Sequence, residues 1–176
     1  MLSFLRRNVI HCPPNAKAVA YKTLVRPKLE YAACSWDPYT TQQIYSLKMV
    51  QRRAARFVNR NYRRTSSVTS MMSELEWESL QSQRKVSRPS LFAIAMHGAV
   101  AISLDGVVRQ NRSTRCTGSD EAPIFQQIST HCNTFKYSFI PRTVVDWNQL
   151  PSEIRCKSSN LSFRDILSDY FSTNCY

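Results

Sequence analysis

Gln43 to Arg64 reads QIYSLKMVQRRAARFVNRNYRR. Wound at 100° per residue, the stretch divides into two faces, with Met49 the one clear exception. Ile44, Leu47, Val50, Ala54, Ala55, Phe57 and Val58 fall on one side. Lys48, Arg52, Arg56 and Arg60 follow one another at spacing i, i+4 on the other, with Arg53 beside them. Residues four apart stand one above another on a helix, so these cations form a stripe. Like charges at that spacing repel and weaken the helix that carries them. A polyanion turns that cost into a gain, whereas a merely solvated charged face shows the same period.

The rest of the composition bounds what the stripe can belong to. A chain of 176 residues fits one domain, or one domain with a tail, and can bury about 70% of its unfolded surface. An apolar fraction of 43% and three glycines argue against wholesale disorder. The net charge is +12, and its placement is uneven. Residues 1–64 hold 13 lysines and arginines against Glu30 and Asp37, while residues 65–176 are nearly balanced, with 11 against 10. A localised basic excess is the footprint of contact with nucleic acid or an anionic surface. No run approaches the roughly 18 apolar residues of a membrane span. The start, MLSFLRRNVIHCPP, places arginines where a signal peptide needs its apolar core. The expected location is therefore intracellular, nuclear or cytoplasmic, without secretion. The cysteines at 12, 34, 116, 132, 156 and 175 come no closer than 16 residues and lack zinc spacing. They are expected to be plain thiols, several of them buried.

Outward from the basic stretch, the pattern is helical on both sides. Pro13 and Pro14 end an N-terminal helix holding Leu2, Phe4 and Leu5. Asn15 is then the expected cap of a helix from Ala16 to about Ala33 that buries Val19, Ala20, Leu24 and Tyr31. Pro27 predicts a break near Arg26. Trp36 to Thr40 reads as a turn, with Thr40 or Thr41 capping the basic helix. Residues 61–70 read as a loop, and Ser73-x-x-Glu76 as a capping box opening a helix to Ser87. Pro89 fits the first turn of a further, buried helix, LFAIAMHGAVAI, which Gly98 loosens. Periodicity vanishes from Asp105 to Thr130, where Arg112 and Arg115 sit in an exposed loop. Phe135, Tyr137 and Phe139 alternate, which permits a short strand. Helices are expected from Pro141 to Leu150 and, capped by Asn160, over LSFRDILSDYF.

Chemistry is harder to find. Three scattered glycines make no phosphate loop. His11, His97 and His131 lack partners at ligand or triad spacing. Two-metal polymerase chemistry needs convergent carboxylates, and the aspartates 37, 105, 120, 146, 165 and 169 include no adjacent pair. Only Asp120-Glu121 offers neighbouring carboxylates, in a Ser/Gly loop. No catalytic residue, metal ligand or cofactor site is read from the chain.

The run AYKTLVRPKLEYAACSWDPYT followed by LKMVQRRAARFV resembles the region just after the polymerase core of non-LTR (LINE-type) retrotransposon reverse transcriptases of the jockey-like group. SELEWESLQSQRK, LFAIAMHGAVAI, YSFIPRTVVDWNQLP and NLSFRDIL resemble successive blocks of the same proteins, in the same order from Phe4 to Leu167. The resemblance implies the thumb, which grips a template–primer duplex, and the C-terminal extension. The palm with its paired aspartates is absent, as is the cysteine–histidine knuckle of some relatives. The parent family is an RNA-directed DNA polymerase that needs magnesium, whose ligands this chain lacks, so the chain is not expected to be an enzyme on its own.

The implied fold is mainly α: an irregular, thumb-like helical bundle with a long loop and at most one or two short strands. Its expected divisions are a basic thumb-like segment (1–64), a helical pair (65–104), a flexible loop (105–134) and a C-terminal aromatic segment with a helix (135–176). Lys48, Arg52, Arg53, Arg56 and Arg60 are the expected phosphate contacts, with Arg112 and Arg115 as a weaker second set. Trp36 and Tyr39 either stack on bases or seat the turn in the core, and the core reading is favoured; Trp77, Trp147 and the aromatics of FKYSF are expected in the core. The partners implied are RNA or DNA, an RNA–DNA hybrid above all, and the missing polymerase core; neither a membrane nor a small-molecule substrate is expected. The alternative is an inert or partly folded product of a truncated element, with Leu2, Phe4 and Leu5 as orphaned apolar surface.

Overall fold

The computed structural model describes residues 1–111, 123–159 and 162–174. It is mainly α. The helices are α1 (Leu2–Asn8), α2 (Pro14–Leu24), α3 (Arg26–Glu30), α4 (Ala33–Trp36), α5 (Thr41–Val58), α6 (Val68–Glu74), α7 (Leu80–Met96), α8 (Asn133–Lys136), α9 (Phe139–Asn148), α10 (Ser152–Arg155) and α11 (Phe163–Asn174), with a 3-10 turn at Cys156–Ser159. The one extended pairing among the described residues is an antiparallel bridge between Gln110 and Phe125. No helix among them is long and apolar enough to cross a membrane. The chain divides into two compact units. The first comprises Met1–Ala33 and Pro38–Gln83, the second Cys34–Asp37 and Arg84–Tyr176.

The first unit is organised on α5. The Thr40 hydroxyl accepts from the Gln43 N–H at 3.4 Å, which satisfies one of the free donors of the first turn. The buried face carries Ala54, Ala55, Phe57 and Val58, which pack with Leu5 of α1, Tyr21 and Val25 of α2 and its end, Val68 and Met71 of α6, and Trp77. Gln51 lies on this face too. Its amide donates to the Glu78 carbonyl at 2.7 Å and accepts from the Leu80 N–H at 3.4 Å, so a buried amide holds the start of α7. Trp77 stacks on Tyr21 with ring centroids 4.4 Å apart.

Several local expectations are corrected here. The cap of α2 is Pro13, with Pro14 in the first turn, and Asn15 lies inside the helix. The break expected from Pro27 is present: α2 ends at Leu24 and α3 begins at Arg26. The buried side of α2 is not the one expected, for Val19, Leu24 and Tyr31 are exposed and Ala20 only half-buried. Lys17, Tyr21 and Val25 line the core instead, at spacing i, i+4, i+8. Ser67 caps α6 by accepting from the Ser70 N–H at 3.3 Å, so a helix begins within the expected loop. Ser73-x-x-Glu76 closes that helix rather than opening one. The Trp77 N–H bonds to the Met72 carbonyl and the Glu76 N–H to the Ser73 carbonyl, with Glu76 at φ 54°. Leu5 is buried and Leu2 packs on the core, which leaves Phe4 alone of the three exposed.

Lys17 is an unusual core residue. It is 0% exposed, its ammonium finds no hydrogen-bond partner, and it lies 5.2 Å from the centroid of the Phe57 ring. Burial lowers its pKa, the Arg60 charge acts in the same direction, and Cys12 opposes them. An attraction to the ring of about 0.5–2 kcal/mol offsets only part of the cost of desolvating an ammonium. Lys17→Met, which keeps the volume, is expected to raise stability by about 1–3 kcal/mol in urea unfolding. A loss of stability would show that the ammonium is favourably held.

Tyr21 gives the fold an alkaline limit. Burial of the phenol pushes its pKa up to about 12, with Arg26 opposing and Glu30 adding. Between pH 10 and 12 the unfolded chain has lost the tyrosine proton and the folded chain has kept it. Stability therefore falls as pH rises through that window, by up to roughly 2–3 kcal/mol. Lys17, with its pKa lowered in the fold, acts in the opposite sense as pH approaches 10.5 from below. Tyr21→Phe is expected to flatten the fall above pH 10, measured as unfolding midpoints against pH.

The second unit is built on α7 and α9. A single helix, α7, runs through Pro89 where two helices were expected with Pro89 at the start of the second. The ring removes one N–H from the helix, at a usual cost of about 3 kcal/mol. The flanking Val86, Phe92 and Ala93 are buried in the core of this unit, and that burial offsets the loss. Gly98, at φ +68°, ends the helix rather than loosening it, and the Ala99 and Gly98 N–H groups bond to the Ile94 and Ala95 carbonyls. Trp147 is fully buried, 5.4 Å from the Phe92 ring and 6.0 Å from the Phe163 ring, and its indole donates to the Pro123 carbonyl at 3.0 Å. The Asn148 side chain accepts from the Phe125 N–H and donates to its carbonyl, so it stands in for a strand neighbour. The strand expected at Phe135–Phe139 is instead α8 and the start of α9. Phe135 and Tyr137 of that segment are exposed, while Phe139 packs on the core. The four described cysteines are half-buried (Cys12, Cys34) or exposed (Cys132, Cys156), against the expectation of buried thiols. Asn160, the expected cap of α11, lies outside the described residues.

The same unit holds an ionic cluster around Asp37, whose side chain is 6% exposed. Arg84 Nε lies 2.6 Å from Oδ1 without the alignment of a hydrogen bond, so that contact is coulombic. Arg88 Nη1 donates to Oδ2, and Arg142 Nη1 lies 3.0 Å from the same oxygen. Arg88 also donates through Nε and Nη2 to Asp146 Oδ2, at 2.9 and 2.6 Å.

Candidate nucleic-acid interface

The outer face of α5 carries Lys48 and Arg53, both exposed, and Arg52 and Arg56, both half-buried. A helix of 18 residues, anchored by fully buried Ala54, Ala55, Phe57 and Val58, holds these cations at fixed spacing. Lys48, Arg52 and Arg53 make no ion pair among the described residues. Arg56 is steadied by its Nη1, which donates to the Arg63 carbonyl at 3.1 Å. Thirteen lysines and arginines face four glutamates in this unit, and one of those, Glu30, is paired with Arg26 at 2.6 Å.

Arg60 departs from the expected stripe. Helix α5 ends at Val58, and Arg60 occupies the left-handed position just beyond it, at φ 50°. The Asn61 N–H bonds to the Arg56 carbonyl, the closure usually made with glycine at the position Arg60 holds. The Arg60 guanidinium turns back to donate to the Ile10 carbonyl at 2.7 Å, after the end of α1. It therefore joins two segments and stands apart from the four cations on the helix. Arg112 and Arg115 lie outside the described residues.

Other exposed cations of this unit were not singled out by the sequence. Arg6 of α1 lies over the Tyr62 ring at 5.5 Å, and Arg7, Arg63 and Arg64 are exposed. Because α1 packs on α5, these charges belong to the same unit as the stripe. Tyr45 is 60% exposed and precedes Lys48, Met49 and Arg52 by three, four and seven residues on one face of the helix. An aromatic residue at helical spacing among cations is the signal in the sequence that marks Tyr45. Tyr39 and Trp36 are each about two-fifths exposed, so they do not seat the turn in a core as expected. Among the described residues no three His, Cys, Asp or Glu side chains are grouped as metal ligands would be.

Compared with protein-family models, with curated proteins and with solved structures, the chain gave no match.

Proposed function

We propose that the chain binds nucleic acid without sequence preference through the outer face of α5, as the thumb and downstream part of a LINE-type reverse transcriptase. The observation that carries this reading is a row of four cations, Lys48, Arg52, Arg53 and Arg56, held on one rigid helix, none of them paired to a carboxylate among the described residues. A helix face of this kind suits phosphates and carries no means of reading bases. The preferred ligand is an RNA–DNA hybrid, from the sequence resemblance. Tyr45 adds a flat apolar surface on which an unpaired base at a duplex end stacks. Any magnesium would be held by the palm of such a polymerase.

Binding of a labelled hybrid, followed by fluorescence anisotropy from 50 to 200 mM salt, tests the reading. Contact with about four phosphates gives a log–log slope of roughly −3 to −4. A slope near zero would overturn the proposal and favour the alternative, an inert remnant of a truncated element.

A further inference from the structure

The ionic cluster of the second unit is not balanced. Three guanidinium groups meet two carboxylates, which leaves one positive charge in excess where Asp37, Arg84 and Arg88 are nearly excluded from water. The donors are also in surplus, for each guanidinium carries five N–H groups. Arg84 Nη1 and Arg142 Nη1 are buried without a hydrogen-bond acceptor. The Arg142 pKa is lowered, first by burial and then by the Arg88 charge, which marks a cation whose surroundings under-compensate it.

A cavity of about 250 Å3 opens beside this cluster. Gln127, Thr130, Lys136, Tyr137, Arg142 and Asp146 contribute to its walls. The Asp146 carboxylate does not defeat an anion there, because one of its oxygens already accepts two bonds from Arg88. Lys136 adds a second cation at the exposed side, its Nζ 5.7 Å from the centroid of the Tyr137 ring. With Lys136 included, the local excess is two positive charges. The volume falls below the roughly 300–1,000 Å3 of sites for drug-sized ligands. A phosphate group carries about −1.5 to −2 charges at neutral pH, with several strong acceptor oxygens. Arginine and lysine donors to such a group make the stronger, charge-assisted class of hydrogen bond.

We propose that the cavity between Arg142 and Lys136 binds a small tetrahedral oxyanion, either free phosphate or the terminal phosphate of a small molecule. Occupation places a counter-charge beside the surplus positive charge of the Asp37 cluster. The site does not rest on the nucleic-acid reading, and its residues belong to the other unit.

The test uses the full chain and inorganic phosphate, with thermal unfolding measured against sodium chloride at matched ionic strength. Phosphate stabilises proteins generally by exclusion, and the basic face of α5 also attracts it, so the variant comparison decides. The wild-type midpoint is expected to rise with the logarithm of the phosphate concentration once that exceeds the dissociation constant, as binding to the folded state requires. Lys136→Ala, at an exposed position, is expected to raise by about tenfold the phosphate concentration at which the midpoint begins to climb. Arg52→Ala with Arg56→Ala should leave the response intact. Phosphorus NMR of the same samples should show line broadening with wild type that Lys136→Ala removes. A second arm with adenosine 5′-monophosphate separates the sources: a rise that Lys136→Ala weakens assigns the site to a terminal phosphate, and such a rise with inorganic phosphate alone assigns it to the free ion. An identical phosphate response in wild type and Lys136→Ala would overturn the proposal.

Discussion

Asp37→Ala is expected to destabilise the protein by about 3–5 kcal/mol, the usual result of removing one partner from a buried ionic group. The aspartate is the only carboxylate that Arg84 and Arg142 reach within 4 Å among the described residues, and one of two for Arg88. Its removal leaves Arg84, at 5% side-chain exposure, as a buried cation with no counter-charge. Folded domains are stable by about 5–15 kcal/mol, so the loss is a third or more of the total for a typical case. Asp37→Asn keeps the shape and removes the charge, and most of the loss should remain. The check is the urea midpoint, followed by circular dichroism with the slope unchanged. A cost below about 1 kcal/mol in both variants would show that water or rearranged arginines replace the carboxylate. The same substitution sharpens the meaning of the cluster. If the carboxylate were there only to fill a turn, as its place between Trp36 and Pro38 indicates in the sequence, asparagine would serve as well.

The difference between those two roles shows where the sequence was legible. Helix α5 could be read because almost every residue on one side is small or apolar and every cation lies on the other; period alone decides it. Gln51, on the buried side, was invisible because its partners, the Glu78 carbonyl and the Leu80 N–H, are backbone groups of a distant segment. On α2 the period was read through the wrong residues. Val19, Leu24 and Tyr31 are apolar by type and exposed in fact, while the stripe that faces the core begins with a lysine. No hydrophobicity template assigns Lys17 to a core, and its place there depends on the Phe57 ring of another helix. Ser73-x-x-Glu76 has the spacing of a start signal, yet it forms a stop, because Trp77 finds Tyr21 to stack on and the chain must turn to bring it there. In the candidate interface, the helix carries the stripe as far as Arg56. Arg60 was misplaced because no glycine marks the end of α5; an arginine takes the left-handed position, held by its bond to Ile10. Asp37 could not have been assigned, since its three arginines come from distant parts of the chain.

Reversing two charges in the middle of the stripe, Arg52→Glu with Arg56→Glu, is expected to weaken hybrid binding by about 100-fold or more at low salt. Two counterion-releasing contacts are lost, which should reduce the magnitude of the salt slope by roughly 2. Two carboxylates then face phosphates, each at a repulsion of about 1 kcal/mol at contact in water. The fold should be nearly indifferent. Both side chains lie on the outer face of α5, and the new carboxylate at position 52 stands one turn after Lys48, so a repulsive pair becomes an attractive one. Only the Arg56 bond to the Arg63 carbonyl is lost, so stability should move by less than about 1 kcal/mol. Net charge by itself could lower the affinity, and a matched control separates the two causes. Lys22→Glu with Lys28→Glu changes the charge of the same unit by the same amount, at exposed positions on α2 and α3. If α5 is the contact, the control loses far less affinity and keeps the wild-type slope. If both pairs lose equally, the attraction belongs to the unit's charge as a whole, and a phosphate-gripping helix is the wrong description.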